Sequence, residues 1–344
     1  MTAHPRDASQ PRALAVVELV RGPEELPVHV LDNGDLRLAF LPTVGGRLIS
    51  VRCGGVELLW RNPGYLDDAL RTIRPRSTWA PLDGTMGSWA NVGGSKTWPA
   101  PQGWTGPHEW PGPPDDVLDS GPWALTWSSH DDGGVTVTMT SPDDPRTGPR
   151  AVRAFEVPAA GTRFRHRSTF TNVVDRPVRW SVWEVCQVDT ALFAAGGTGT
   201  SVLTHPDDVG VFVGVTGRAE PVRIVDLVGA MEVGEATGGV RHVPVRPVVA
   251  KVGFVDASGT LELRRPDGAG IVWQFDVPTG TYPDGGCQVE LWMQHPLPEP
   301  LPGPGALHPD AHLVELEVLT PIRNLEPGDE VTLEIVWDVR GTAV

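Results

Sequence analysis

The sequence predicts an all-β fold, an antiparallel sandwich or barrel, and three observations predict it. Apolar and polar residues alternate with period two along most of the chain, which is the period of a half-buried strand. The alternating runs are short, and Gly, Pro, Asn and Asp, the residues of tight turns, separate them. Helical periodicity is nearly absent, with one weak candidate at 64–73, "GYLDDALRTI". No internal repeat stands out, which argues against a propeller.

From the N-terminus, residues 1 to about 12 are polar and expected to fray. "HVLDNGDLRLAFLP" (29–42) is a hairpin, with Asn33-Gly34 between two apolar runs, and "GGRLISVRCGGVELLW" (45–60) repeats the pattern around Gly54-Gly55. Strands then follow at "WALTWSS", "GVTVTMTS", "RAVRAFEVP", "TRFRHRSTFTNV", "PVRWSVWEVCQVD", "GVFVGVT", "VVAKVGFVD", "TLELRRP", "IVWQFDV", "CQVELWMQH", "HLVELEVLTP" and "EVTLEIVWDV". The segment 91–115, "NVGGSKTWPAPQGWTGPHEWPGPPD", breaks this rhythm. Its density of Pro and Gly blocks ladders and helices, so it is expected as a long surface loop, and long ordered loops tend to be functional. Its Trp content argues against disorder.

Composition narrows the partners. A formal charge of -15 gives the 344-residue chain an acidic field that disfavours phosphate backbones and anionic membranes. Neither nucleic acid nor membrane is expected, and a polyanionic glycan would find only "RTIRPR" at 71–76. Cys53, Cys186 and Cys287 are odd in number and far apart, so free buried thiols are expected and neither disulfides nor a zinc site. "HPDAH" at 308–312 has metal-ligand spacing only if helical, and Pro309 before a strand argues against that; no metal and no cofactor is expected. The N-terminus lacks a signal-peptide pattern and no run reaches transmembrane length, which reads as a cytoplasmic protein.

Alternation also says which strands carry chemistry. Gln288, Glu290, Trp292 and Gln294 share one face of their strand, opposite Val289, Leu291 and Met293. Glu315 and Glu317 share a face about 6.5 to 7 Å apart, opposite Val314, Leu316 and Val318. Arg179, Ser181, Trp183, Gln187 and Asp189 make a polar and aromatic stripe, with Glu184 out of place on the apolar side. A solvated outer face is the ordinary reading of such stripes. Trp beside amides and carboxylates suits a sugar better, because its C–H face packs on an aromatic plane while its hydroxyls need fixed donors and acceptors.

"LDNGDLRLAFLPTVGGRLISVRCGGVELLW", "GGSKTWPAP", "SPDDPRTGPRAVRAFEV", "FTNVVDRPVRWSVWEVCQ" and "VELEVLTPIRNLEPGDEVTLEIVW" resemble successive landmarks of a bacterial domain family of unknown function in the galactose mutarotase-like superfamily. The resemblance covers roughly residues 29–338 and implies an antiparallel β-supersandwich that binds carbohydrate on a concave sheet. It places an N-terminal extension, partly disordered, at 1–24 and one domain at 25–344. "LEVLTPIRNLEPGDE" is similar to the mutarotase stretch with the catalytic base, which would be Glu317 here. The two mutarotase histidines fall near Trp183 and within "NVGGSKTW", where this chain has no His.

The general acid must then come from elsewhere, and Lys96, in the Trp-rich segment, or His108, next to Glu109, can supply it. Glu315 is the second carboxylate. Trp98 and Trp104 are expected as a stacking wall, with Trp183, Gln187, Arg179, Glu290, Trp292 and Gln294 completing the sugar site. The resemblance implies an aldose 1-epimerase-like enzyme on a neutral sugar or glycoside. A lyase or glycoside-cleaving enzyme using Glu315, Glu317 or Glu290, and a non-catalytic sugar-binding protein, remain open beside it.

Overall fold

The computed structural model describes residues 14–19, 22, 24–83, 85–103, 108–194, 208–297 and 311–342. Two large antiparallel sheets pack face to face. The first runs, from edge to edge, through Val16–Leu19, Val28–Asp32, Leu36–Leu41, Arg47–Cys53, Ser95–Ala100, Val178–Asp189, Leu313–Leu319, Val289–Gln294, Val249–Phe254 and Val222–Val228. The second runs through Val240–Val243, Gly210–Val215, Ala257–Arg264, Gly270–Phe275, Glu330–Arg340, Arg163–Asn172, Pro149–Val157, Val135–Thr140 and Ala124–Ser129.

Turn chemistry sets the hairpins. Asn33 Oδ1 accepts from the backbone N–H of Asp35 and Leu36, and Gly34 takes φ 94°, a value that favours glycine. The second sheet alternates buried and solvated positions along Pro149–Val157, Arg163–Asn172 and Glu330–Arg340, so one of its faces is wet. Phe40, Phe155, Phe170, Trp273 and Trp337 fill the space between the sheets with no exposure. Each such phenylalanine contributes about 1.5–3 kcal/mol by leaving water.

The first sheet is covered on both faces. In Val178–Asp189 only Arg179 and Asp189 escape full burial. At one end a second apolar cluster, including Leu66, Leu70 and Val92 from the 58–94 connection, packs on Val30, Ala39, Leu41 and Ile49. That connection is not helical at 64–73. Asp67 Oδ1 accepts from the N–H of Ala69 and Arg71, and Leu70 takes φ 59°, so a chain of turns replaces the helix.

One further expectation is corrected. The 91–115 segment is not an irregular surface loop throughout: Ser95–Ala100 is a strand, buried at every position, between Arg47–Cys53 and Val178–Asp189. Beyond Ser95 it pairs on one side only, where a proline such as Pro99 is tolerated because no second ladder needs its N–H. At the N-terminus, Val16–Leu19 pairs with Val28–Asp32 and extends the first sheet. The three cysteines are free and buried, as expected. No helix among the described residues is long and apolar enough to cross a membrane.

Candidate active site

Register assembles the site on the face of the first sheet turned away from the second. Trp183 pairs with Trp98, Gln187 with Glu315, Glu315 with Trp292, and Trp292 with Lys251, so five neighbouring strands present these side chains together. Above them lies a cleft of about 360 Å³. Trp89, Asn91, Gln102 and Pro113 line one part of it, Ile224, Val225 and Leu227 of the edge strand another, and Asp284 stands at its border.

Glu317 and Glu290 face each other across paired strands, and both are fully buried. Lys251 Nζ lies 2.8 Å from Glu317 Oε2 and 2.7 Å from Glu290 Oε2. Trp183 Nε1 donates to Glu317 Oε2 at 2.7 Å, and the Lys251 ammonium lies 4.5 Å from the centre of the Trp183 ring. Burial pushes both carboxyl groups up, Glu290 furthest, against the opposing pull of Lys251. Burial opposes the charge on Lys251, but the two carboxylates outweigh it and raise its pKa. The neutral form is favoured more at Glu290 than at Glu317, because Glu317 has two hydrogen-bond donors whereas neither Glu290 oxygen has a well-aligned one.

A second pair lies across Val185. Lys96 is 1% exposed and lies 3.3 Å from Glu315 Oε1, which also accepts from Gln187 Nε2 at 2.7 Å. The indoles of Trp98 and Trp89 stand 4.3 and 5.2 Å from the Lys96 ammonium. Burial lowers the Lys96 pKa and Glu315 opposes it. Beneath, Asp119 accepts from Trp89 Nε1, Trp98 Nε1 and Arg47, and so fixes both indoles of that wall.

The expected residues therefore divide. Glu290, Trp292, Gln294, Trp183, Gln187, Glu315 and Glu317 come together. Lys96 joins them as the buried partner of Glu315, and Val185 stands between it and Glu317. Trp98 lines the cleft but is not an exposed wall: it is 4% exposed and packs on Trp89, Trp110 and Trp183. Arg179 is exposed and paired with Asn324, and His108 is exposed; neither lines the cleft. Trp104, and His308 to Asp310 of the 308–312 motif, lie outside the described residues. Among the described residues, no group of three or more His, Cys, Asp or Glu could hold a metal ion.

Sequence reasoning missed Lys251, although a lone Lys in the apolar run "VVAKVGFVD", in phase with Val249 and Gly253, was a usable signal. Trp89, Asp119 and Asp284 gave none, because they come from irregular segments that only the packing brings to the sheet.

The two stacked antiparallel sheets have the galactose mutarotase-like β-sandwich fold, shared with several solved structures. It is similar to a candidate mutarotase from Salmonella typhimurium, at 16% identity and a TM-score of 0.56 over 95% of this chain and 97% of that one. It is also similar to a galactose mutarotase-like protein from Clostridium acetobutylicum, at 9% identity and a TM-score of 0.56 over 96% and 99%. A candidate aldose 1-epimerase from Escherichia coli K12 aligns at 15% identity and a TM-score of 0.54 over 91% and 98%. No protein-family model and no curated protein sequence matches the chain.

Proposed function

We propose that the protein is a carbohydrate-active enzyme of the aldose 1-epimerase type, which opens and recloses a sugar ring. The observation that supports this most directly is the Glu317–Lys251–Glu290 cluster under the cleft, in which a proton acceptor and a proton donor are buried together. Ring opening needs a base on the anomeric hydroxyl and an acid on the ring oxygen. Glu317 is the base, and its ionised form is favoured by the donors Trp183 Nε1 and Lys251 Nζ. Glu290, whose neutral form burial favours, is the acid in place of the missing histidines. Reclosure on the other face of the carbonyl returns both protons and inverts the anomeric centre. Lys251, 13% exposed and part of the cleft lining, covers the pair and has to swing aside for the sugar.

That cover also favours a second reading, a protein that binds sugar in the cleft without turning it over, since neither carboxylate is exposed. Glu317→Gln separates the two. Polarimetry over a panel of aldoses is expected to show anomeric equilibration with the native chain and its loss with Glu317→Gln, while sugar binding persists. Equal equilibration by both proteins would remove Glu317 from the mechanism, and none by either would favour the binding protein.

A further inference from the structure

The cleft holds acceptors that lack a donor among the described residues. Gln187 is 2% exposed and lines the cleft, and its Oε1 is buried with no hydrogen-bond partner. The amide cannot be turned to relieve this, because its Nε2 donates to Glu315 Oε1 and the flipped oxygen would face a carboxylate. Glu315 is 14% exposed, and its other oxygen has no hydrogen bond among the described residues. Asp284, exposed at the border, has no ion-pair partner for its carboxylate among the described residues. The ammonium groups are already committed, Lys96 to Glu315 and Lys251 to Glu290 and Glu317. No arginine is among the lining residues.

A buried acceptor without a donor costs about 1–3 kcal/mol, and a ligand that supplies the donor recovers it. Sugar hydroxyls are donors, but four carboxyl groups, Glu290, Glu315, Glu317 and Asp284, outnumber the two ammonium groups, and a neutral sugar does not answer that imbalance. A phosphate or carboxylate would worsen it. Gln187, Glu315 and Trp292 are successive neighbours across the sheet, so the free acceptors stand beside an indole that can face a cation. Resting on the carbohydrate reading above, we propose that the cleft takes a sugar bearing a free, protonated amino group, held by Gln187 Oε1 and Glu315 next to Trp292, and turns away phosphorylated and carboxylated sugars.

The test is a binding titration of the full chain, by calorimetry and Trp fluorescence, with 2-amino-2-deoxyhexoses, the parent hexoses, the N-acetylated derivatives and hexose 6-phosphates. The amino sugars are expected to bind at least tenfold more tightly than their parents, with the acetylated and phosphorylated sugars weaker than the parents. Glu315→Gln, and the exposed Asp284→Asn in case the first disturbs the fold, should each shrink the amino-sugar advantage over the parent hexose to less than threefold. Parent hexoses binding as tightly as the amino sugars, or 6-phosphates binding best, overturns the amino-sugar assignment and leaves the carbohydrate reading standing. No response to any sugar overturns both.

Discussion

Lys251 decides the state of the site. It is the one ammonium in contact with Glu290 and Glu317 among the described residues, and without it two buried carboxyls would face each other uncompensated. A carboxyl whose pKa is raised by folding keeps a proton that the unfolded chain gives up, so its contribution to stability falls as pH rises above the ordinary value of 4.5. In Lys251→Met both carboxyls are pushed higher still. Its loss of stability relative to the native chain is expected to be small near that pH and to grow towards neutrality. Urea melts across the pH range measure it, and a deficit independent of pH would show that Lys251 is not the counter-ion.

At the scale of the element, the Val249–Phe254 strand combines Lys251 with Gly253, which pairs with Glu290. A Cβ at Gly253 would come within 2.2 Å of Cys287 Sγ, so the thiol fills the space that a side chain would take. The glycine is required by this close approach and not by its backbone angles. Gly253→Ala is expected to cost about 1–3 kcal/mol of stability through overpacking. Adding Cys287→Ala should return part of that loss in a thermal melt, whereas an equal deficit with and without the thiol would place the conflict elsewhere.

For the whole molecule the two sheets are tied by charge as well as by hydrocarbon. Arg153 and His166 of the second sheet meet Glu184, Ser95 and Thr97 of the first, with Arg153 Nη2 2.7 Å from Glu184 Oε1 and neither side chain exposed. His166 is stacked on Phe155 at 4.3 Å, receives Arg153 Nε, bonds Ser168 and lies 3.8 Å from Glu184. Burial, with Arg153 adding to it, holds its pKa well below 6.5. As pH falls through 6.5 the unfolded chain takes up a proton that the folded chain refuses, so stability drops by up to about 1.4 kcal/mol per pH unit for this one group. His166→Gln is expected to flatten that part of the stability–pH curve. Removing Arg153 alone, as Arg153→Met, should cost about 3–5 kcal/mol by leaving Glu184 buried and unpaired. Denaturant midpoints read both, and an unchanged acid slope in His166→Gln would show that another group sets it.

The sequence by itself determined the sheets. Period-two alternation and turn residues such as Asn33-Gly34 are local, and each strand's choice of core face follows from its own residues, so the antiparallel sandwich was legible. It also placed Glu290, Trp292, Glu315, Glu317, Trp183 and Gln187 on the face that became the cleft. The out-of-phase Glu184 was visible, but its partner was not, because Arg153 arrives from the other sheet. The Trp and Pro segment misled, since low strand propensity at Pro99 was overridden by burial and by pairing with Val178–Asp189 on one side. Which charged groups surround Glu317 was decided only by the tertiary structure. Strand order puts Val249–Phe254 beside Val289–Gln294 and so brings Lys251 to the two glutamates, while Val185 keeps Lys96 apart. Proton affinity depends on which groups are desolvated together, and that is set by contacts between residues far apart in the chain, to which local periodicity is blind.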